Sequence, residues 1–244
     1  MENQKVALIT GSNRGLGFET AKQLGEKGIT VILTGRDQQT AEDAAAKLTA
    51  LGIKAVGIKL DVTDQKDRVA AAAFIKGKFG KLDILINNAG VGPSDFFVNK
   101  AIETTEEEFQ YLFETNVFSV VYLTNELLPL LKASGSANVV NLSSLLGSLG
   151  VHAMENSPLA PLKRLSYNAS KSALNAVTIH LAAELKPFNI RVNSADPGHA
   201  KTDMGGPNAP MEIPEGAKTS VELALLDENG PTGKFIHLGE ERPW

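Results

Sequence analysis

The feature that most constrains the fold is an alternation, along the whole 244-residue chain, between short β-branched, apolar runs and longer stretches of helical periodicity. This alternation is typical of repeated strand-helix-strand units, in which parallel strands form one sheet and helices cover both of its faces. The runs are apolar throughout, as strands buried on both faces are. We therefore predict a doubly wound α/β fold with a seven-stranded parallel sheet, its strands at residues 5–10, 30–35, 54–60, 82–87, 137–142, 191–195 and 234–237.

Helices are predicted between these strands, at residues 15–27, 38–51, 64–78, 104–132 and 167–185. Two segments, 147–166 and 198–216, break the alternation and are rich in glycine and proline, so they are predicted to be loops. No internal repeat and no linker divides the chain. We expect a single domain, residues 1–244, that contains both loops.

Composition excludes several classes of function. The 24 basic and 28 acidic residues give a formal charge of −4, so the chain lacks the positive field that neutralises a nucleic-acid backbone. It contains no cysteine, which excludes disulfides and thiolate chemistry, and its four histidines are scattered, so no metal site is expected. No apolar run approaches the roughly 18 residues that cross a membrane, and no targeting segment is visible at the start. We expect a cytoplasmic protein that binds neither nucleic acid nor membrane.

A glycine pattern directly follows the first predicted strand. A tight strand-to-helix turn requires positive φ, and a pyrophosphate reaches the amides of a helix N-terminus only where no Cβ intervenes. The spacing G-x3-G-x-G differs from the common G-x-G-x-x-G, so the pattern alone also fits an ordinary glycine turn. Its position favours a dinucleotide, held by Gly11, Ser12, Asn13, Arg14, Gly15, Leu16 and Gly17.

The end of the second predicted strand indicates which dinucleotide. NAD enzymes place an acid about 20 residues after the glycine loop to bind the ribose 2′-hydroxyl, but here neutral Gly35 is followed by Arg36. Arg14 and Arg36 together suit a 2′-phosphate, so NADPH or NADP is predicted. The alternative is that Arg36 is only solvated and that Asp37 binds a ribose.

A tyrosine and a lysine one helical turn apart are the main catalytic candidates. Tyr167 and Lys171 lie at i and i+4 at the start of a predicted helix, and therefore on one face. A nearby ammonium favours phenolate and is expected to lower the phenol pKa from about 10 toward operating pH. By itself the spacing also fits a surface pair. Ser144 and the run 87–90 follow two other strands, where each taken alone fits a helix cap or a turn.

Taken in order, these motifs resemble the short-chain dehydrogenase/reductase family over essentially the whole chain. Residues 10–17 resemble its TGxxxGxG loop, 87–90 its NNAG motif and 197–202 its PGxxxT segment. The resemblance implies a Rossmann-type fold and a catalytic tetrad of Asn116, Ser144, Tyr167 and Lys171. It further implies cofactor contacts from Arg36, Asp61, Val62, Asn88, Ala89, Gly90, Tyr167, Lys171, Pro197, Gly198 and Thr202.

The resemblance also implies the roles of the tetrad. Ser144 would polarise the substrate oxygen, Tyr167 would exchange its proton, and Lys171 would hold the ribose and tune the phenol. Asn116 would anchor a water in a proton relay. Hydride would pass between the nicotinamide and a carbonyl or alcohol carbon, with 198–216 as the substrate loop.

Ser144 and Tyr167 stand 23 positions apart, farther than is usual in the family, so an insertion of about ten residues lies within 147–166. This resembles the NADPH-dependent carbonyl reductase branch, in which such an insertion covers the substrate and obstructs helix pairing between subunits. The expectation is a reductase of ketones or aldehydes that is monomeric, with a dimer as the alternative. Two other functions stay open: an NAD(P)-binding sensor protein without turnover, and an NAD-dependent alcohol dehydrogenase.

Overall fold

One sheet organises the computed structural model, which describes residues 4–93 and 101–244. Its strands are β1 (Val6–Ile9), β2 (Thr30–Gly35), β3 (Ala55–Lys59), β4 (Ile84–Asn87), β5 (Ala137–Leu142), β6 (Ile190–Ala195), β7 (Phe235–His237) and β8 (Glu240–Glu241). Their order across the sheet is β3-β2-β1-β4-β5-β6-β7-β8. The first seven pair in parallel, which confirms the predicted doubly wound α/β sheet.

The sheet has one strand more than predicted. β8 pairs with β7 in antiparallel register, so the sheet is not purely parallel. The turn between them contains Leu238 and Gly239, both with positive φ, as in tight hairpin turns whose twist matches that of the strands. Glu240 and Glu241 lack the β-branched character that marks the other strands, which is why the pattern did not indicate them.

Eight α-helices are described between and after the strands: α1 (Gly15–Glu26), α2 (Gln38–Ala50), α3 (Gln65–Phe79), α4 (Glu106–Phe113), α5 (Ser119–Ala133), α6 (Leu149–His152), α7 (Leu165–Leu185) and α8 (Ile213–Ala224). α4 and α5 replace the single helix predicted at 104–132, because a π-helical turn, Glu114–Phe118, separates them. Both segments predicted to be loops contain helix: α6 lies within 147–166, and α8 begins within 198–216. Pro214 near its start and Gly216 gave that segment a loop-like composition, although proline suits the first turn of a helix.

Alternate side chains of each central strand pack into two separate cores, one on each face of the sheet. Leu8 of β1 belongs to one core, with Ile75 of α3 and Leu127 of α5. Its neighbour Ile9 belongs to the other, with Leu24 of α1 and residues of α2 and α8. The sheet is therefore held rigidly between two helical layers, and the loops at its edge have a fixed base. In the part of the chain that the structure describes, no helix is long and apolar enough to span a membrane.

Candidate active site

The carboxyl ends of β1 and β4 lie side by side where the strand order changes direction. In open α/β sheets the ligand crevice forms outside such a point, because the connections on its two sides lead away from each other. The glycine loop follows β1, the run 87–90 ends β4, and Ser144 follows β5. The fold thus brings the predicted motifs to one edge of the sheet.

The glycine loop has the backbone geometry that its pattern predicts. Gly11 and Gly15 have φ of +58° and +60°, a region that L-residues rarely adopt. A Cβ on Gly17 would lie 2.4 Å from Asn88 Nδ2, so a side chain there would push the loop away from β4. Among the described atoms, none lies within 4 Å of a Cβ built on Gly15, so there is open space on this side of the loop. At the start of α1, the N–H groups of the first turn are suited to an anion.

Two residues of the loop serve its shape. The buried Ser12 hydroxyl donates to the Ile9 carbonyl at 2.7 Å and accepts from the Thr34 N–H at 2.9 Å. The main-chain N–H of Ser12 donates to the Thr34 carbonyl. Both hydrogen-bond donors of Ser12 are therefore used, one on β1 and one on β2. Leu16 faces the other way, with its side chain 2.9 Å from where a Cβ of Gly216 would lie on α8.

Two arginines are the candidates for a phosphate: Arg36 directly after β2, and Arg14 in the glycine loop after β1. Arg36 is exposed, and its guanidinium has no partner within residues 4–93 and 101–244. Arg14 pairs with Asp203 at 2.9 Å, and both side chains are exposed. Asp37 is the N-cap of α2, where its Oδ1 accepts from the Thr40 N–H at 2.9 Å. Asp37 therefore has a structural role, which counts against the alternative that it binds a ribose.

Asp61 and Val62 follow β3 in a compact turn. Asp61 Oδ1 accepts from both the N–H and the hydroxyl of Thr63, at 3.0 and 2.7 Å. The Val62 carbonyl accepts from the buried Arg68 guanidinium at 2.8 Å. These bonds hold the turn in one conformation at the same edge of the sheet as the glycine loop.

The segment after β4 is fastened to the glycine loop. The Thr10 hydroxyl accepts from the N–H groups of Asn88 and Ala89, at 2.9 and 2.8 Å. Asn88 Nδ2 donates back to the carbonyls of Thr10 and Gly11, at 2.7 and 3.0 Å. The next residue, Gly90, would place a Cβ 3.4 Å from Asn116 Oδ1 and 3.7 Å from Lys171 Nζ. The cofactor motif and the catalytic candidates are therefore in contact.

Asn116 lies in the π-helical turn between α4 and α5 and is buried. Its Nδ2 donates to the Val91 carbonyl at 2.9 Å and to the Ser170 hydroxyl at 3.1 Å. Its Oδ1 accepts from the Val91 N–H at 2.9 Å. Single π-helical turns in long helices are frequent at functional sites, and this one turns Asn116 toward the start of α7.

Tyr167 is buried, only 6% exposed, and the Ser144 hydroxyl lies close enough to its phenol to affect the phenol pKa. Ser144 also accepts from the Leu146 N–H at 3.2 Å and so caps the 3₁₀ turn Leu145–Gly147. Lys171 Nζ donates to the Leu142 carbonyl at 2.8 Å and lies 5.7 Å from the centre of the Tyr167 ring.

The expected effect of Lys171 on the Tyr167 phenol is wrong for this structure. Burial raises the pKa of Tyr167 to about 12; the hydrogen bond with Ser144 opposes the rise, and the charge of Asp196 adds to it. Burial also lowers the pKa of Lys171 to about 8. Loss of water disfavours the charged form of each group, and this effect outweighs the attraction that the spacing suggested.

The segment after β6 carries Pro197, Gly198 and Thr202. Gly198 has φ of +69°, and its N–H donates to Asp196 Oδ1 at 3.1 Å. Thr202 Oγ1 accepts from the Gly205 N–H at 3.0 Å, so the hydroxyl stabilises a turn. Sequence reasoning missed Asp196, although a charged residue between an apolar strand and Pro-Gly was a usable signal.

The segment 147–166 packs against the start of α7. Asn168 Nδ2 donates to the Leu162 carbonyl at 3.1 Å and lies 3.2 Å from His152 Nε2. Ser172 Oγ, one turn later, donates to the Gly147 carbonyl at 2.9 Å. The insertion is therefore attached to the helix that carries Tyr167. Within the described ranges, no three histidine, aspartate or glutamate side chains are grouped so that they could hold a metal ion.

A mostly parallel sheet with a glycine loop at its switch point, and a buried tyrosine near a serine and a lysine, are typical of oxidoreductases of the Rossmann type. The family model described as short chain dehydrogenase matches residues 5–212, and the chain belongs to that family.

Known relatives align along nearly the full length of the chain. It is 36% identical to (−)-isopiperitenone reductase of Mentha piperita, covering 96% of each protein. It is 31% identical to carbonyl reductase [NADPH] 1 of Mus musculus, covering 99% of each. The crystal structure of NADPH-bound carbonyl reductase from chicken fatty liver superimposes with a TM-score of 0.84 at 28% identity, covering 99% of each chain.

Proposed function

We propose that this protein is an NADPH-dependent oxidoreductase that reduces a ketone or aldehyde to an alcohol. The observation that carries the proposal is the buried Tyr167 phenol, close to Ser144 and Lys171 at the edge of the sheet where the glycine loop lies. Its relatives include (−)-isopiperitenone reductase of Mentha piperita and carbonyl reductase [NADPH] 1 of Mus musculus, and these support the proposal. The proposed catalytic domain is the whole chain, with 147–166 and 198–216 facing the substrate.

Each tetrad residue has a proposed role that agrees with its contacts. Ser144 orients the substrate oxygen, and Tyr167 donates the proton to it, because a phenol with a raised pKa stays protonated at neutral pH. Lys171 holds a ribose from its position beside Gly90. Asn116 keeps Val91 in place, which fixes the strand end beside Lys171, and anchors the relay water. The nicotinamide, when bound, supplies the hydride.

The preference for NADPH rests on the end of β2. The guanidinium of Arg36, which is exposed and has no partner among the described residues, and the guanidinium of Arg14 offer two forked donors for a phosphate. Gly15 leaves open space on one side of the loop, so the residues present fit the group. Arg14 must exchange Asp203 for the phosphate, which makes Asp203 an internal competitor of the cofactor. The remaining proposed contacts are those named from the sequence: Gly11, Ser12, Asn13, Leu16, Gly17, Asp61, Val62, Asn88, Ala89, Pro197, Gly198 and Thr202.

Turnover is tested by mixing the purified protein with NADPH or NADH and a panel of aliphatic, cyclic and aromatic carbonyls, and following cofactor absorbance. We expect NADPH oxidation, and a loss of about 10²- to 10⁴-fold in kcat for Tyr167→Phe, because the proton donor is removed. Tyr111→Phe, at an exposed position on α4, is the matched control and should retain full activity. A Tyr167→Phe variant as fast as the wild type would refute the proposal. Tight NADPH binding without oxidation on any carbonyl would favour a sensor protein instead.

Cofactor preference is tested by titrating the protein with NADPH and NADH in a calorimeter. The double variant Arg14→Ala, Arg36→Ala should lose about 10- to 100-fold in affinity for NADPH and almost none for NADH, because charge-assisted hydrogen bonds to a phosphate are lost. Asp203→Asn should bind NADPH up to about fivefold more tightly, since it frees Arg14 from an exposed ion pair. The control is Lys22→Ala, which removes one positive charge from α1, the helix that begins directly after Arg14. An unchanged NADPH affinity in the double variant would favour the NAD-dependent alternative.

A further inference from the structure

Asp196 is a buried carboxylate directly after β6 that has no role in the mechanism above; it is 3% exposed. Its Oδ1 accepts from the N–H of Leu145 at 3.2 Å and from the N–H of Gly198 at 3.1 Å. Leu145 follows Ser144, and Gly198 lies in the segment proposed to flank the nicotinamide. One oxygen atom therefore joins the loop of the catalytic serine to the loop of the cofactor.

His237 of β7 contacts both Asp196 and Gly198. Its Nδ1 lies 2.9 Å from the Asp196 main-chain carbonyl and 3.6 Å from Asp196 Oδ2. Because a carbonyl only accepts, Nδ1 must carry the proton. The imidazole also lies against Gly198, where a Cβ would come within 2.9 Å of His237 Cε1. β7 therefore holds both Asp196 and the loop that Asp196 binds.

We propose that Asp196 is a positioning residue: its carboxylate, supported by His237, locks the turn after Ser144 to the Pro197-Gly198 turn. A buried carboxylate that accepts two main-chain N–H bonds makes a strong, rigid joint. Reaction rates depend steeply on such alignment, because small displacements of the reacting groups remove much of the benefit of proximity. The kinetic consequence rests on the proposed reductase function, whereas the joint is a property of the fold.

The charge of Asp196 faces titratable groups on two other elements. On α7 this is Tyr167, whose pKa the charge of the carboxylate helps to raise. On β7 the facing group is His237. A negative charge near a phenol disfavours phenolate, so Asp196 keeps Tyr167 in its proton-donating form.

Two substitutions distinguish the effect of the two hydrogen bonds that Asp196 accepts from the effect of its negative charge. Asp196→Asn keeps an acceptor oxygen of the same reach and removes the charge, whereas Asp196→Ala removes both. In hydrogen-deuterium exchange, we expect peptides covering 143–148 and 196–200 to exchange at least about tenfold faster in Asp196→Ala and within about threefold of the wild type in Asp196→Asn. The control is Asp43→Asn, which removes the same charge from the exposed face of α2 and should behave like the wild type.

The kinetic arm uses the same variants with NADPH and a carbonyl that the wild type reduces. We expect kcat of Asp196→Ala to fall by about 10- to 100-fold, while the Kd for NADPH changes by less than about threefold. Asp196→Asn should retain kcat near neutral pH within about threefold. Its rate, however, should decline at lower pH than that of the wild type, between about pH 10 and pH 12, because the phenol pKa falls when the negative charge is removed.

The proposal is overturned if Asp196→Ala shows wild-type exchange in both peptides or wild-type kcat, or if Asp196→Asn is as impaired as Asp196→Ala. If Asp196→Ala does not fold, the Asp196→Asn pH profile decides, and a profile that coincides with that of the wild type overturns the proposal. If the wild-type protein oxidises NADPH with none of the carbonyls in the panel, the proposed function fails instead. The hydrogen-deuterium exchange rates then decide by themselves whether Asp196 joins the two turns.

Discussion

At the scale of single residues, burial controls the chemistry of the site more than the pairing of charges does. Tyr167 and Lys171 are one helical turn apart, and their pKa values move in opposite directions, to about 12 and about 8. The same cause acts on both, because a buried phenol resists becoming an anion and a buried amine resists becoming a cation. A neutral phenol next to a serine hydroxyl is suited to donating a proton, which agrees with the reductive direction proposed.

The opposed shifts predict how stability depends on pH. Lys171 has a pKa of about 8 in the folded protein against 10.5 ordinarily, so the unfolded chain binds more protons between these values. The contribution of Lys171 therefore makes the free energy of unfolding larger, and the protein more stable, as pH increases from about 8 to about 10.5. A salt-bridged lysine would have the opposite effect. Tyr167 has the opposite sign, and its contribution is lost between about pH 10 and 12.

Thermal unfolding of the wild type and of Lys171→Met at pH 8, 9 and 10 checks this prediction. Methionine is neutral at every pH, so the wild type should gain a few degrees in Tm relative to the variant over this interval, because one buried charge is removed. Two curves that run parallel across these pH values would contradict the shift assigned to Lys171.

At the scale of elements, the site depends on where helices and turns touch. The 3₁₀ turn after Ser144 lies so close to α7 that a Cβ on Gly147 would come within 2.7 Å of the Lys171 main-chain carbon. The π-helical turn brings Asn116 within 3.1 Å of Ser170 on the same helix. Tyr167 and Lys171 are thus held by two neighbours that approach α7 from different loops.

Gly147→Ala should therefore disturb both stability and catalysis. The added methyl group overlaps the α7 main chain, and overpacking of this kind costs roughly 1–3 kcal/mol of unfolding free energy. Moving the turn also moves Ser144, so kcat should fall more than the affinity for NADPH does. Urea unfolding and kinetics at saturating NADPH measure the two effects.

Gly77→Ala is the matched control for that substitution. Gly77 is exposed on α3, and within the described structure nothing lies within 4 Å of the position that its Cβ would take. This variant should gain about 0.5–1 kcal/mol, because alanine favours the helix, and should keep full activity. Equal stability changes in the two variants would mean that the close approach at Gly147 has no consequence.

At the scale of the whole molecule, we propose that the protein is a monomer. The segment 147–166 is fastened to the first turns of α7 by Asn168 and Ser172, where it stands beside the helix that would otherwise be free to pair with a second copy. The expectation that it lies in the cytoplasm stays a prediction.

Sedimentation equilibrium at micromolar concentration, with and without NADPH, measures the oligomeric state. We expect the mass of one chain in both conditions, with no dependence on concentration, because the insertion hinders a two-fold contact through α7. A mass of two chains that persists on dilution would contradict this and favour the dimer named as the alternative.

Much of this molecule could be predicted from local patterns. The seven parallel strands, the glycine loop and the Tyr167-Lys171 pair were each indicated by residues close together in the chain, because periodicity and spacing act within one element. β8 and α8 were missed, since both depend on packing against the sheet more than on their own composition.

By itself, the sequence determined which elements form and which chemical groups they carry, because apolar periodicity, turn residues and side-chain types are local properties. The tertiary structure alone decided that Arg14 meets Asp203, that Asp196 joins two loops, and that burial sets the pKa values of Tyr167 and Lys171. Each of these depends on distances between residues far apart in the chain and on the exclusion of water, which only the folded arrangement of the elements creates.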